Sequence, residues 1–202
     1  MSSRNMLVEL YKDSRTVFTM QNIQMKFPDR DTNSLRQSLF YAKRQGLILN
    51  PRSGIYAKPG YDEKELACAI FWPSYLSLNY VLAKAGVIYQ FDSSIQCVSY
   101  LSRVVTVDSK NYEYRRIKPE LIANCMGIIQ KNGYAIATPE RAFVDSVYLN
   151  PQSLYFDRMD ILNRESVMEI AESFEKNSLI KKISEICYSS FASDKSLNGH
   201  TD

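Results

Sequence analysis

Apolar residues recur at helical spacing over Met6–Tyr11, with Met6, Leu7, Leu10 and Tyr11 on one side, which predicts a short amphipathic first helix. A second helix is expected from Thr19, whose hydroxyl can cap the free amides that follow. It should stop at Pro28, because the residue before a proline is biased away from helical geometry. After the polar turn Pro28–Asp31, Thr32 is an N-cap candidate for a third helix running to about Gln45, with Gly46 supplying the left-handed position beyond its end. Leu35, Leu39 and Ala42 form the inner stripe of that helix. Two β-prone pieces follow, Leu47–Asn50 and Ile55–Lys58, and Pro51-Arg52-Ser53-Gly54 between them favours a tight turn.

Beyond Gly60 the pattern changes. Asp62–Phe71 reads as a helix, Trp72-Pro73 as a break, and Leu76–Lys84 as another helix ended by Gly86. Val87–Tyr89, Cys97–Tyr100, Arg103–Val107 and Tyr112–Ile117 are β-prone, with a turn at Asp108–Asn111, and they predict an antiparallel sheet. Gly127–Ile136 adds a hairpin around Lys131-Asn132-Gly133. Thr138 then caps a helix that opens on Pro139 and carries Phe143, Val144, Val147 and Tyr148 as far as Asn150-Pro151. Helical stretches capped near Asn163 and Ser178 fill Ser153–Phe191. The expected class is therefore α+β: a winged helix-turn-helix over residues 1–60, a mixed α/β domain with an antiparallel sheet and C-terminal helices over 61–192, and a flexible tail over 193–202.

Charge sharpens this division. Residues 1–60 hold ten Lys/Arg against four Asp/Glu, or +6, whereas the remainder of the chain sums to −3 within the total of +3. A basic front unit joined to a mildly acidic one points to a polyanion as the partner of the first. The order helix, helix, turn, helix, hairpin suits a fold whose third helix enters a major groove while the first two brace it. On the outer side of that helix stand Asn33, Ser34, Arg36, Gln37, Tyr41 and Arg44, with Lys43 at the flank. These side chains can reach base edges and phosphates, and Arg52 at the hairpin tip suits phosphate or a minor groove. A second basic group, Arg103, Arg115, Arg116 and Lys118, lies on or beside expected strands. It would extend the nucleic-acid track, although a solvated strand face is the plainer reading.

Chemistry is indicated mostly by what is missing. The single histidine, His200, lies in the polar tail, and Cys68, Cys97, Cys125 and Cys187 are scattered without a C-x-x-C pair, so no metal site, catalytic residue or cofactor is expected. No Asp-x-Asp or Gly-Ser-rich loop suggests Mg²⁺-dependent nucleotide chemistry. Pro139, Glu140 and Asp145 are explained by routine helix capping. With no signal-peptide h-region and no stretch of about 18 apolar residues, the expected location is the cytoplasm.

Several motifs resemble the AbiEi-type antitoxins of bacterial abortive-infection systems: Gly54-Ile55-Tyr56-Ala57-Lys58-Pro59, Trp72-Pro73-Ser74-Tyr75-Leu76-Ser77-Leu78, and Ala83-Lys84-Ala85-Gly86-Val87-Ile88. Tyr114-Arg115-Arg116-Ile117-Lys118 and Ile136-Ala137-Thr138-Pro139-Glu140-Arg141-Ala142-Phe143-Val144-Asp145 continue the resemblance, which covers roughly residues 1 to 150. It implies a repressor that binds inverted repeats of double-stranded DNA in its own promoter and counteracts a nucleotidyltransferase-like toxin without a stable complex. The region after Asn150 is short for that family. A solitary regulator with no toxin, or a protein-interaction adaptor that docks a partner through its rear domain, are the alternatives.

Overall fold

The computed structural model describes residues 3–89, 93–150 and 155–197. The front of the chain forms α1 (Ser3–Lys12), β1 (Val17–Thr19), α2 (Met20–Lys26), α3 (Thr32–Arg44), β2 (Leu49–Arg52) and β3 (Ile55–Ala57). Its three strands make an antiparallel sheet in the order β1-β3-β2. Met6, Leu10, Phe18, Ile23, Phe27, Leu35, Leu39, Ala42 and Ile48 close a core between the three helices and this sheet.

The expected boundaries hold closely where capping chemistry is strong. Thr19 caps α2 in a reciprocal capping box with Asn22, and Gly46 takes a φ of +70° after α3. The N-cap of α3 is Asp31 rather than Thr32, because its carboxylate accepts from the amides of both Asn33 (2.9 Å) and Ser34 (3.0 Å). β1 had no signal of its own: three residues against a helix cap are too short for alternation to register.

The rest of the chain folds as α4 (Glu63–Ile70), β4 (Ser74–Leu76), α5 (Leu78–Lys84), β5 (Ile95–Ser99), β6 (Arg103–Val107), β7 (Lys110–Arg116), α6 (Pro119–Ala123), β8 (Ile128–Gln130), β9 (Ala135–Ala137) and α7 (Pro139–Leu149). A 3-10 turn (Met159–Ile161), α8 (Arg164–Glu172) and α9 (Asn177–Leu197) follow. The strands form one six-stranded sheet in the order β6-β7-β5-β4-β9-β8. Three neighbouring pairs are antiparallel, as expected, but β5 with β7 and β4 with β9 are parallel, so the sheet is mixed. All five residues of β5 are buried, as a central strand covered on both faces requires.

Helices occupy both faces of this sheet. On one face α5, α7, α8 and α9 bury Leu82, Phe143, Val147, Ile170 and Ile183 against Tyr75 and Val98; on the other α4 packs Leu66, Ala67 and Cys68 against Leu76, Cys97, Tyr112 and Tyr114. Two expectations fail here. Leu76 belongs to β4 and not to a helix. Val87–Tyr89 is not a strand; the Val87 carbonyl instead accepts from the amides of Asp157 and Arg158. α9 continues through Leu197, so the tail expected from Ser193 starts inside this helix; 198–202, including His200, lie outside the described residues.

The front unit does not hang from a linker. Val17, Ile55 and Ala57 join the cluster of Leu66, Ala67, Cys68 and Tyr114. The Glu65 carboxylate, buried at the junction, accepts from the amides of Thr16 (2.6 Å) and Val17 (2.8 Å).

Candidate nucleic-acid interface

α3 is held by its inner stripe, Leu35, Ser38, Leu39 and Ala42, all buried against the front core. That stripe turns Asn33, Arg36, Gln37, Tyr41, Lys43 and Arg44 outward, and all six are exposed. Ser34 is half-buried and differently employed: its hydroxyl accepts from the Arg30 guanidinium at 2.9 Å, and the same nitrogen lies 2.9 Å from the Ser38 hydroxyl. Arg30, in the turn before α3, thus braces the first two turns of the helix. Its basic side chain in the turn between α2 and α3 is visible in the sequence, but it lies off the outward face of α3.

The cations of the front unit are held in different ways, Arg30 by the two serines and Arg52 over an aromatic ring. Arg15 (2.8 Å) and Lys26 (3.0 Å) pair with Asp13, Lys12 pairs with Glu9, and Lys58 donates to the carbonyls of Tyr11 and Asp13. The Arg15 guanidinium beside Asp13 holds its carboxyl far below the usual carboxylate range, with Lys26 helping and burial opposing. Arg36, Lys43 and Arg44, by contrast, enter no ion pair among the described residues. Three uncompensated cations and three polar side chains therefore share one exposed helix face.

Phe40 stands among them, 57% exposed between Arg36 and Arg44, with Tyr41 edge-on at 5.8 Å and the Arg44 guanidinium 6.0 Å from the ring centre. No local pattern singles it out, because its exposure follows from how α3 is rotated onto the front core.

Arg52 is not at the hairpin tip. It ends β2 in register with Ile55, leaving Ser53-Gly54 as the turn, and its guanidinium lies 5.8 Å over the Phe71 ring. The Asn50 side chain crosses this hairpin to the carbonyls of Arg52 and Ile55, both at 2.7 Å.

The second basic group does not form one patch. Arg103 lies opposite Tyr114, and Arg116 follows two residues later on the same sheet face, whereas Arg115 points to the other face. There Arg115 meets Glu113 at 3.4 Å and Asn150 at 3.0 Å. Lys118 is exposed just before α6.

Arg141 and Asp145, which could have suggested a carboxylate site, are both fully sealed at 0% exposure. Asp145 receives Arg141 Nε (3.0 Å), the Tyr75 hydroxyl (3.2 Å) and the Ser77 hydroxyl (2.7 Å). The remaining Arg141 nitrogens donate to Tyr75 and to the carbonyls of Leu121, Asn124 and Met126. Burial pushes the Asp145 carboxyl up, and the guanidinium opposes it. This network ties α7, β4 and the segment around α6 together; a solute has no route to it. Cys68, Cys97 and Cys187 are buried and Cys125 is exposed, and burial raises the Cys68 thiol to about 11. Among the described residues His, Cys, Asp and Glu do not gather in threes that could hold a metal, and no helix is long and apolar enough to cross a membrane.

No model of a known protein family matches the chain, and no curated protein matches it.

Proposed function

We propose that the chain is a sequence-specific, double-strand DNA-binding transcriptional repressor whose front unit, residues 1–60, is a winged helix-turn-helix. The element order α1-β1-α2-α3-β2-β3 and the strand order β1-β3-β2 support this reading, with α3 as recognition helix and the Asn50-braced hairpin as wing. The observation that carries it is the outward face of α3, where Arg36, Lys43 and Arg44 stand exposed together without carboxylate partners among the described residues, whereas Lys12, Arg15 and Lys26 are paired with Glu9 and Asp13. Unpaired cations displace counterions from phosphates, and Asn33 and Gln37 between them are suited to base edges.

The test is binding to the chain's own upstream DNA and to a scrambled duplex across a salt series. Affinity for the upstream DNA should fall steeply with salt, with a log–log slope on the order of −3 for about three phosphate contacts, and Arg36→Ala or Arg44→Ala should each reduce that slope by about 1. Equal affinity for both duplexes, or none, would move the reading to a protein-docking adaptor. That second reading has its own observation, the cleft of 660 Å³ between the two units with the 82% exposed Trp72 on its lining.

The antitoxin role rests on the motif resemblance alone. Its test is co-expression with a nucleotidyltransferase-like toxin: restored growth supports it, and unrelieved toxicity leaves a solitary regulator.

A further inference from the structure

Phe40 is not needed by the core that α3 covers, because Leu35, Leu39 and Ala42 fill the inner stripe and are 3% exposed or less. It sits instead in the middle of the outward row, one turn after Arg36 and one turn before Arg44. Every other exposed side chain of that face carries a charge, an amide or a hydroxyl. The ring is also steadied, by Tyr41 edge-on at 5.8 Å and by the Arg44 guanidinium at 6.0 Å. An apolar ring flanked by two unpaired arginines fits a surface that is anionic at its borders and apolar at one point. The major groove of DNA has that character wherever a thymine presents its C5-methyl group between the two phosphate backbones.

We propose that Phe40 is a specificity residue that reads thymine, packing its ring on the C5-methyl while Arg36 and Arg44 hold the positions to either side. The proposal rests on the DNA-binding reading above, and its test separates the two.

The tightest duplex is selected from a randomised pool with the full-length chain. Each thymine in it is then replaced by deoxyuridine, which removes the methyl and keeps every hydrogen-bonding group. At one or two positions uridine should weaken wild-type binding about three- to five-fold, the effect of one buried methyl. Phe40→Ala should bind the thymine and uridine duplexes equally at those positions, and Phe40→Leu should retain part of the difference. The ring is exposed, so both variants should keep the wild-type melting temperature. Uridine that costs the wild type nothing anywhere, or costs Phe40→Ala as much as the wild type, overturns the proposal while leaving DNA binding intact. A change in sedimentation mass in Phe40→Ala also overturns it, by placing the ring between copies of the chain. If the pool yields no duplex bound in a salt-sensitive manner, the DNA-binding reading fails and the thymine contact with it.

Discussion

Arg141 and Asp145 are two charged residues without solvent access, and each depends on the other. With Asp145 removed, Arg141 would keep its charge and lose its one anionic partner among the described residues in a sealed interior, a loss of about 3–5 kcal/mol for breaking a buried pair from one side. Asp145→Ala should lower the urea midpoint accordingly, and a loss below about 1 kcal/mol would mean that the pair is not the anchor its geometry suggests. Asp13 differs, because its partners Arg15 and Lys26 reach water. Its depressed folded-state pKa means that the unfolded chain takes up the proton first as pH falls. The stabilisation is therefore present above about pH 4 and disappears as pH drops towards the folded value. Asp13→Asn should cost on the order of 1 kcal/mol at pH 7, and the gap between variant and wild type should close in melts taken towards pH 2. A gap that stays constant with pH would exclude the ionised carboxylate as its source.

Among the elements, α3 was legible to a residue or so because three local signals agree: an acceptor side chain at its start, the Leu35–Leu39–Ala42 stripe, and Gly46 beyond its end. Asp31→Ala removes the acceptor for two amides and should cost about 1 kcal/mol. On the proposed reading it should weaken DNA binding less than Arg36→Ala does, since it loosens the helix end without removing a contact; calorimetry and the same salt titration check both. The β4 strand was harder. Ser74–Leu76 is three residues long and runs into α5 through Ser77, so its apolar pattern merges with the helical one, and only pairing with β5 and β9 makes it a strand. The place of Arg52 just short of the hairpin tip, and the exposure of Phe40, were hidden for a related reason. A hairpin's register and a helix's rotation are set by contacts with Ile55, Phe71 and the front core, none of which is local in sequence.

For the whole molecule the question is whether the front unit unfolds separately. Composition placed a boundary after Gly60, and the charge change there is real, but Val17, Ile55 and Ala57 bury themselves in the cluster built by α4 and the large sheet. Glu65 adds a carboxylate that satisfies two amides of the front unit from within α4, a bond type worth about 1.5–3 kcal/mol each when buried. Removing residues 61 onward would expose three apolar side chains and leave the Thr16 and Val17 amides without this acceptor. The two parts should therefore unfold together, in one calorimetric transition whose van't Hoff and calorimetric enthalpies agree. Glu65→Ala should weaken that coupling, showing first as faster hydrogen exchange at the Thr16 and Val17 amides and then as a separate low-temperature shoulder. Two resolved transitions in the wild type would instead make the front unit an independent module, and on the proposed reading DNA binding would then persist in residues 1–60 alone. A single transition makes α3 answerable to the packing of the whole chain, so that, on the proposed DNA-binding reading, a ligand or partner altering the junction at Glu65 would alter DNA affinity as well.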